Sequence, residues 1–166
     1  MSGQLGTGAV VAAGDGVAQF LTFTLGGEEY GVDILRVQEI KGFTSVTPIP
    51  NAPVYVKGVM NLRGTVVPVL DPRIKFGMPA REYDRFTVIV VVNVGTRVVG
   101  LVVDAVSDVL DIPLDAIQPP PDMGAAVDTS TIRGIAQNAD RLITLLDIDQ
   151  VVDVEGGAGR ALAEAA

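Results

Sequence analysis

The chain has 166 residues and a formal net charge of −8, and it contains neither cysteine nor histidine. These absences exclude disulfides, thiolate nucleophiles and imidazole groups as bases or metal ligands, so the composition disfavours an enzyme. The negative charge disfavours nucleic acid as a partner, because phosphates require a basic surface. The length suffices for one domain with a substantial core, and abundant valine with frequent glycine and proline predicts a mainly β fold.

The composition also divides the chain into three parts. Residues 1–16 are rich in glycine and alanine without periodicity and are predicted to be a disordered leader. Residues 17–155 are predicted to form the folded domain, and residues 156–166 a flexible tail. The apolar runs are much shorter than the ~20 residues that a membrane-spanning helix needs. The sequence therefore predicts a cytoplasmic protein.

The folded part begins with a predicted hairpin and a predicted short helix. Apolar residues alternate with threonine over residues 21–25, and residues 28–32 return after the turn Gly26-Gly27. Ile34, Val37 and Ile40 then recur every three residues behind Asp33. This spacing predicts a short helix or helical turn within residues 34–40, with Asp33 as its N-cap.

The middle of the chain is predicted to form two strands and a capped helix. The strands are residues 59–62 and 65–70, joined by a bend at Arg63-Gly64. Pro68 cannot donate a ladder hydrogen bond, which predicts an edge strand or a bulge. Asp71-Pro72 has the pattern of a helix start, with an N-cap acceptor followed by proline in the first turn.

The second half repeats this order of elements. Residues 88–94 are almost continuously apolar and predict a central strand that is buried on both faces. Residues 97–103 return, and Asp104 is predicted to cap a short apolar turn with Val106 and Val109. The later elements are a long proline-rich loop over 118–131, strands over 132–136 and 142–146, and a last short helix capped by Asp147.

Shifting the chain against itself predicts a duplication. A shift of 69 residues aligns Gly31 with Gly100 and Val37 with Val106, and a shift of 76 aligns Asp71 with Asp147. A shift of 70 aligns Arg63-Gly64 with Arg133-Gly134, which we interpret as two equivalent corners. Chance alignment of valine-rich strands is the alternative. Two copies of a five-element unit predict two packed β-barrels, with an apolar groove between them formed by Ile34, Val37 and Ile40 opposite Val106 and Val109.

Several motifs resemble a known family, the CheW-like chemotaxis coupling proteins. The motifs are FLTFTLGGEEYGVDILRVQEI at 20–40, KGVMNLRG at 57–64, PVLD at 68–71 and VVGLVVDAVSDVL at 98–110. The resemblance extends from Phe20 to Val152. It implies a mainly β fold of two SH3-like five-stranded β-barrel subdomains with short helices, related by pseudo-duplication.

The resemblance also implies a function and partners. Members of this family are non-catalytic scaffolds without a cofactor. They couple the cytoplasmic tips of chemoreceptors to the regulatory domain of the histidine kinase CheA. The implied location is cytoplasmic, with recruitment to receptor arrays at the membrane.

Two groups of site residues follow from the resemblance by position. The receptor-binding groove is implied to contain Ile34, Val37, Glu39, Ile40, Val88, Val106 and Val109. Kinase coupling is implied for Gly58, Asn61 and Arg63. The alternative is structural: the valines and isoleucines are core residues, and Arg63 is a surface charge or a buried partner for Glu39 or Asp71.

Two other function classes remain as hypotheses. Asp104, Asp108 and Asp111 are close in sequence, as the paired carboxylates of a glycosidase would be. Residues 36–85 hold eight Lys/Arg against four Asp/Glu, the one basic region that a nucleic-acid binder would use.

Overall fold

The computed structural model describes residues 16–79, 82–121 and 130–152, and almost all of its regular structure is β. Its short helices are α1 (Pro72–Lys75) and α2 (Ile148–Val151), and 3-10 turns cover Ile34–Arg36 and Leu114–Ala116. The strands are β1 (Val17–Leu25), β2 (Glu28–Asp33), β3 (Val37–Gly42), β4 (Val56–Leu62), β5 (Thr65–Leu70), β6 (Val88–Val94), β7 (Arg97–Val103), β8 (Ala105–Pro113), β9 (Ile117–Gln118), β10 (Ile132–Asn138) and β11 (Arg141–Leu146). Among the described helices, each is far too short to cross a bilayer. The predicted leader, the tail and most of the proline-rich loop lie outside the described residues.

The strands form two sheets, which are the two barrels of the fold. The six-stranded barrel has the order β8-β1-β2-β11-β10-β9, and the five-stranded barrel has the order β3-β6-β7-β5-β4. Each barrel combines the first hairpin of one half of the chain with the later strands of the other half. The predicted mainly β, two-barrel architecture is confirmed, and the two halves are interlaced along the chain.

The strand register repeats between the halves. The parallel pairs place Val69 opposite Gly100 in one barrel and Leu145 opposite Gly31 in the other. These residues are related by shifts of 69 and 76, as predicted. The helix caps repeat as well, because Asp71 and Asp147 each accept a hydrogen bond from the backbone N–H two residues later, at 3.0 and 3.1 Å.

The predicted equivalence of Arg63-Gly64 with Arg133-Gly134 is wrong. Arg63 lies in the turn between β4 and β5 with φ 51°, and its counterpart in the turn between β10 and β11 is Ala139 with φ 56°. Gly134 instead corresponds to Gly58, since the β4–β5 and β10–β11 pairings both shift register just before that glycine. The shift of 70 matched residue types, whereas the strands are related by a shift of 76.

The helix or helical turn predicted over 34–40 is confirmed only over Ile34–Arg36, and the segment after Asp104 is strand β8. Asp33 does cap a turn, accepting from the Leu35 N–H at 2.9 Å, but the turn ends at Arg36 and β3 begins. In β3, Val37 lies opposite Val92 and Ile40 lies opposite Val90. Three steps along β3 therefore correspond to two steps along the partner strand β6. The same bulge spacing occurs in β8 opposite β1. A bulge therefore turns residues three apart to one face, which produces a helix-like period in a strand.

Pro68 lies on an interior strand, so the edge alternative is wrong, while the β4–β5 pairing does shift register next to it, between Val56 and Gly58. Strand β5 has β7 on one side and β4 on the other. Its pairing with β7 involves only Val69 and Leu70. The proline precedes that pairing, so no donor is required of it on the β7 side.

Three apolar clusters hold the fold together. One lies inside the five-stranded barrel around Val67 and Ile89, and one inside the six-stranded barrel around Phe20 and Ile143. The largest cluster, which we call the central core, contains side chains of both sheets and therefore lies between the barrels. Its strand residues are Leu21, Phe23, Leu25, Val32, Val56, Leu70, Val90, Val92, Val94, Val99, Leu101, Val103 and Leu146.

An ion pair lies at each of the two places where the described chain crosses from one barrel to the other. Arg73 on α1 pairs with Asp104, and its side chain is 4% exposed. Asp104 also accepts a hydrogen bond from the Gly26 N–H at 2.9 Å, which connects the pair to the β1–β2 turn. Arg36 and Asp149 form the second pair at the opposite crossing, with the arginine on the first half and the aspartate on α2.

Removing one member of the buried pair should destabilise the fold strongly. We expect Arg73→Met to lower the free energy of unfolding by roughly 3–5 kcal/mol, because the Asp104 carboxylate loses its guanidinium in a desolvated site. Urea denaturation followed by circular dichroism measures the change. Arg97→Met, at an exposed arginine of the same barrel, is the control and should change stability by less than about 0.5 kcal/mol. Equal small effects of both variants would contradict a structural role for the Arg73 pair.

Candidate functional site

The apolar residues of the predicted groove lie along the margin of the central core. Val37 and Val106 occupy equivalent places in β3 and β8, and both are half-buried against the central core. Ile40 and Val109 are the next equivalent pair and are 43% and 49% exposed. All four lie opposite strand residues that belong to the central core. Each barrel thus contributes a matching pair of apolar side chains, one half-buried and one exposed.

Two further groove residues lie at the same margin. Ile34, in the turn before β3, and Val88, the first residue of β6, are half-buried and pack against the central core. Their partial burial gives them a structural role beside any binding role. Ile40 and Val109 differ, because nearly half of each side chain is exposed to solvent.

Glu39 lies on the other face of β3 from this margin. It is opposite Val91, which belongs to the interior of the five-stranded barrel. Its carboxylate accepts hydrogen bonds from both terminal nitrogens of Arg63, one of them at 3.3 Å. The arginine remains 68% exposed, so the pair joins β3 to the β4–β5 turn at the surface. Arg63 is thus a partner of Glu39, but at an exposed position and not a buried one.

This ion pair changes the titration of Glu39. The hydrogen bond from Arg63, helped by the positive charges of Arg63 and Lys41, holds the pKa of Glu39 below its ordinary value of 4.5. The same hydrogen bond raises the pKa of Arg63. A two-pronged guanidinium contact fixes both the position and the charge of the carboxylate.

Asn61 shapes the turn that carries Arg63. Its side-chain oxygen accepts a hydrogen bond from the Gly64 N–H at 2.9 Å. This contact closes the turn locally and supports the left-handed conformation of Arg63, whose φ is 51°. Asn61 therefore positions the exposed arginine.

Gly58 is required by the chain's own backbone. A Cβ at this position would overlap the carbonyl of Thr47, and its φ of 144° is unfavourable for other residues. Thr47 pairs with the neighbouring Val59 through two backbone hydrogen bonds of 2.8 and 2.9 Å. A side chain at Gly58 would consequently displace the segment around Thr47, and any effect on a partner would act through that segment.

An aromatic and basic cluster near Gly58 was not predicted. The rings of Phe43 and Tyr83 lie 4.5 Å apart, and the Lys57 ammonium is 5.7 Å from the Tyr83 ring. The Tyr83 hydroxyl donates to Asp71 at 2.7 Å. Burial and this hydrogen bond raise the pKa of Tyr83. The residues are distant in sequence, and no spacing rule connects them.

The three acids of the glycosidase hypothesis have structural contacts. Asp104 binds Arg73, and Asp111 accepts from the Gln19 amide at 2.9 Å. The backbone of Asp108 is held in the β8 bulge by the buried Thr22 hydroxyl, which donates to its carbonyl and accepts from its N–H. A cavity of about 200 Å³ lies elsewhere, lined by Val32, Asp33, Arg36, Arg133, Leu146, Asp147 and Ile148. The contacts of these acids therefore favour a structural role.

Comparison with known proteins identifies relatives over most of the chain. The CheW-like domain family model matches residues 19–156. The chain is 48% identical to the chemotaxis protein CheW of Klebsiella aerogenes, over 86% of this chain and 87% of that protein. It is 43% identical to the chemotaxis protein CheW of Rhizobium meliloti, over 85% and 91%. The crystal structure of the scaffolding protein TtCheW from Thermoanaerobacter tengcongensis superposes with a TM-score of 0.78, at 34% identity, over 84% of this chain and 94% of that one.

The Glu39–Arg63 pair can be tested by titration. The pKa of Glu39 is lowered in the folded state, so the pair stabilises the fold above the ordinary glutamate value of 4.5 and loses this contribution as pH falls through the folded-state value. In the wild type, NMR of the side-chain carboxyl carbon should give a midpoint below 4.5. We expect Arg63→Ala to raise the midpoint and Arg85→Ala, a control at another exposed arginine, to leave it unchanged. Identical curves for the wild type and Arg63→Ala would contradict the pairing.

The backbone requirement at Gly58 predicts a stability difference between two glycine variants. Gly58→Ala should destabilise the protein by roughly 1–3 kcal/mol more than Gly77→Ala, because overlap must be relieved by moving backbone. Gly77 also has positive φ, at 77°, but a Cβ there would meet no neighbouring atom. Urea denaturation of both variants separates overlap from strain in φ. Equal losses would show that the approach of Thr47 is unimportant.

Proposed function

The chain belongs to the CheW-like domain family, and from this we propose that it is a scaffold that couples the cytoplasmic tips of chemoreceptors to the histidine kinase CheA. The observation that carries the proposal is the match over residues 19–156, which includes both barrels. The relatives are chemotaxis proteins, and the solved relative is described as a scaffolding protein. The role is one of assembly: the protein binds two partners and holds them in a fixed arrangement without catalysing a reaction.

The apolar margin between the barrels is the proposed receptor site. A receptor tip is a helical hairpin, and helices dock in grooves through apolar residues spaced along one face. The exposed Ile40 and Val109 offer such a face, with Val37 and Val106 behind them. We assign Ile34 and Val88 to the walls of this groove, whereas Glu39, which the resemblance implied for the groove, lies on the other face of β3 and binds Arg63.

The turn between β4 and β5 is the proposed kinase-coupling corner. Arg63 is exposed there, with Asn61 fixing the turn and Glu39 fixing the guanidinium. Gly58 supports the corner indirectly by admitting the backbone of Thr47. Glu39 of the corner and Ile40 of the groove are neighbours on β3, so a change in one surface has a direct route to the other.

The proposed location follows from the partners. A protein that binds the cytoplasmic parts of receptors works in the cytoplasm and is concentrated at the membrane by those receptors. Recruitment therefore depends on the groove, and loss of receptor binding should release the protein from the membrane fraction.

Binding measurements with both partners test the proposal. A receptor-tip fragment and the regulatory domain of CheA, each titrated by calorimetry into the purified protein, should both bind. Failure of both partners to bind would refute the scaffold role. A nucleic-acid role would instead require binding to single-stranded RNA or DNA that weakens steeply with salt.

A charge on the exposed part of the groove should weaken receptor binding selectively. We expect Ile40→Asp to reduce affinity for the receptor-tip fragment by at least about tenfold, because docking would bury an unpaired carboxylate. Its thermal transition and its affinity for the kinase domain should remain close to the wild type. The control is Leu142→Asp, at an apolar residue that is 66% exposed on β11. Equal effects of the two substitutions on receptor affinity would contradict the groove assignment.

A further inference from the structure

One arginine contacts both barrels beside the proposed groove. Arg36 is the last residue of the turn Ile34–Arg36, where the chain crosses from the six-stranded to the five-stranded barrel. Its Nε donates to the carbonyl oxygen of Asn93 on β6 at 3.0 Å, within the five-stranded barrel. Its Nη2 pairs with Asp149 on α2, which follows the last strand of the six-stranded barrel. The two sides of one guanidinium thus connect the two barrels.

The contacts of Arg36 are close to the groove along the chain. Ile34 and Val37, on either side of Arg36, both pack against the central core. Val37 lies opposite Val92, and the next residue of β6 is Asn93, which accepts from Arg36. A displacement of the Arg36 side chain therefore affects the start of β3, the strand that carries one wall of the groove.

The exposure of this ion pair indicates a positioning role and not a stabilising one. The side chains of Arg36 and Asp149 are 33% and 56% exposed, and exposed ion pairs contribute little to global stability. The buried pair Arg73–Asp104 occupies the other barrel crossing and is expected to provide stability there. Arg36 also lines the cavity of about 200 Å³, so its side chain borders open space on one side.

We propose that Arg36 is a positioning residue of the receptor groove. By binding Asn93 and Asp149 together, it sets the distance between the groove wall on β3 and the groove wall on β8. This proposal rests on the proposed function, because it assumes that the groove binds an apolar helical segment. Arginine is required, since its rigid fork of donors serves two acceptors on different elements, whereas lysine offers one ammonium point charge.

Receptor affinity is the first readout. We expect Arg36→Ala and Arg36→Lys to bind the receptor-tip fragment about fivefold more weakly, a typical size for coupling between sites. Kinase-domain affinity should stay unchanged in both variants. The double variant Arg36→Asp with Asp149→Arg restores the ion pair without the bond to Asn93 and should recover only part of the affinity.

Arg141 provides a matched control. It also forms an ion pair with a carboxylate, Glu29, and is 41% exposed. Both members of this pair lie in the six-stranded barrel, Arg141 on β11 and Glu29 on β2. Arg141→Ala therefore removes an ion pair whose arginine is about as exposed as Arg36, without disconnecting the barrels, and receptor affinity should be unaffected.

A distance measurement tests the spacing without any partner. Because the chain contains no cysteine, spin labels can be attached specifically through Gln38→Cys and Ser107→Cys, at equivalent exposed positions of β3 and β8. Pulsed electron paramagnetic resonance should show a broader distance distribution in Arg36→Ala than in the parent or in Arg141→Ala. High salt should broaden the parent distribution toward that of Arg36→Ala, since salt screens exposed pairs.

The outcomes separate this proposal from the proposed function. Unchanged distances and unchanged receptor affinity in Arg36→Ala would overturn the positioning role while leaving the receptor site intact. Broadened distances in a protein that binds no receptor fragment would overturn the proposed function and support the connection between the barrels. Equal losses in Arg36→Ala and Arg141→Ala would overturn the positioning role, because they would reflect a general effect of charge.

Discussion

The shared apolar layer between the two barrels is the constraint on which the rest of the structure depends. Each barrel has a small interior of its own, but the largest cluster belongs to both. Because each barrel combines strands from both halves of the chain, neither half can bury its apolar face alone. The groove is the place where this layer reaches the surface. Its residues are therefore partly buried in the core and partly exposed, and substitutions there must be judged by exposure.

Much of the fold was readable from local pattern. Alternation, tight glycine turns and Asp caps predicted most strands and both short helices, and the self-alignment predicted two related barrels. The helical period predicted beyond Arg36 came from a bulge, whereas the equivalence of Arg63 with Arg133 failed because residue types matched at the wrong shift. Val37 and Ile40, like Val106 and Val109, are three residues apart on one face because an extra residue lies between them. A sequence pattern cannot distinguish this spacing from one turn of a helix, since the bulge is defined only by the partner strand.

The site was predicted less completely than the fold. The resemblance gave the groove residues and Arg63, but the reason for each residue required long-range pairing. Gly58 admits the chain's own Thr47, and Asn61 closes the turn that presents Arg63. The contacts of Arg36 with Asn93 and Asp149 join residues 57 and 113 positions apart, and no periodicity connects them. Polar contacts of this kind depend on topology, which local sequence does not encode.

The central claim is that one small β protein offers two separate surfaces, an apolar groove for a receptor and a charged corner for a kinase. The most direct measurement is analytical ultracentrifugation of the protein with a receptor-tip fragment and the CheA regulatory domain, separately and together. The account predicts a ternary complex in which each partner binds in the presence of the other. Mutual exclusion of the two partners would contradict it, because it would place both on one surface.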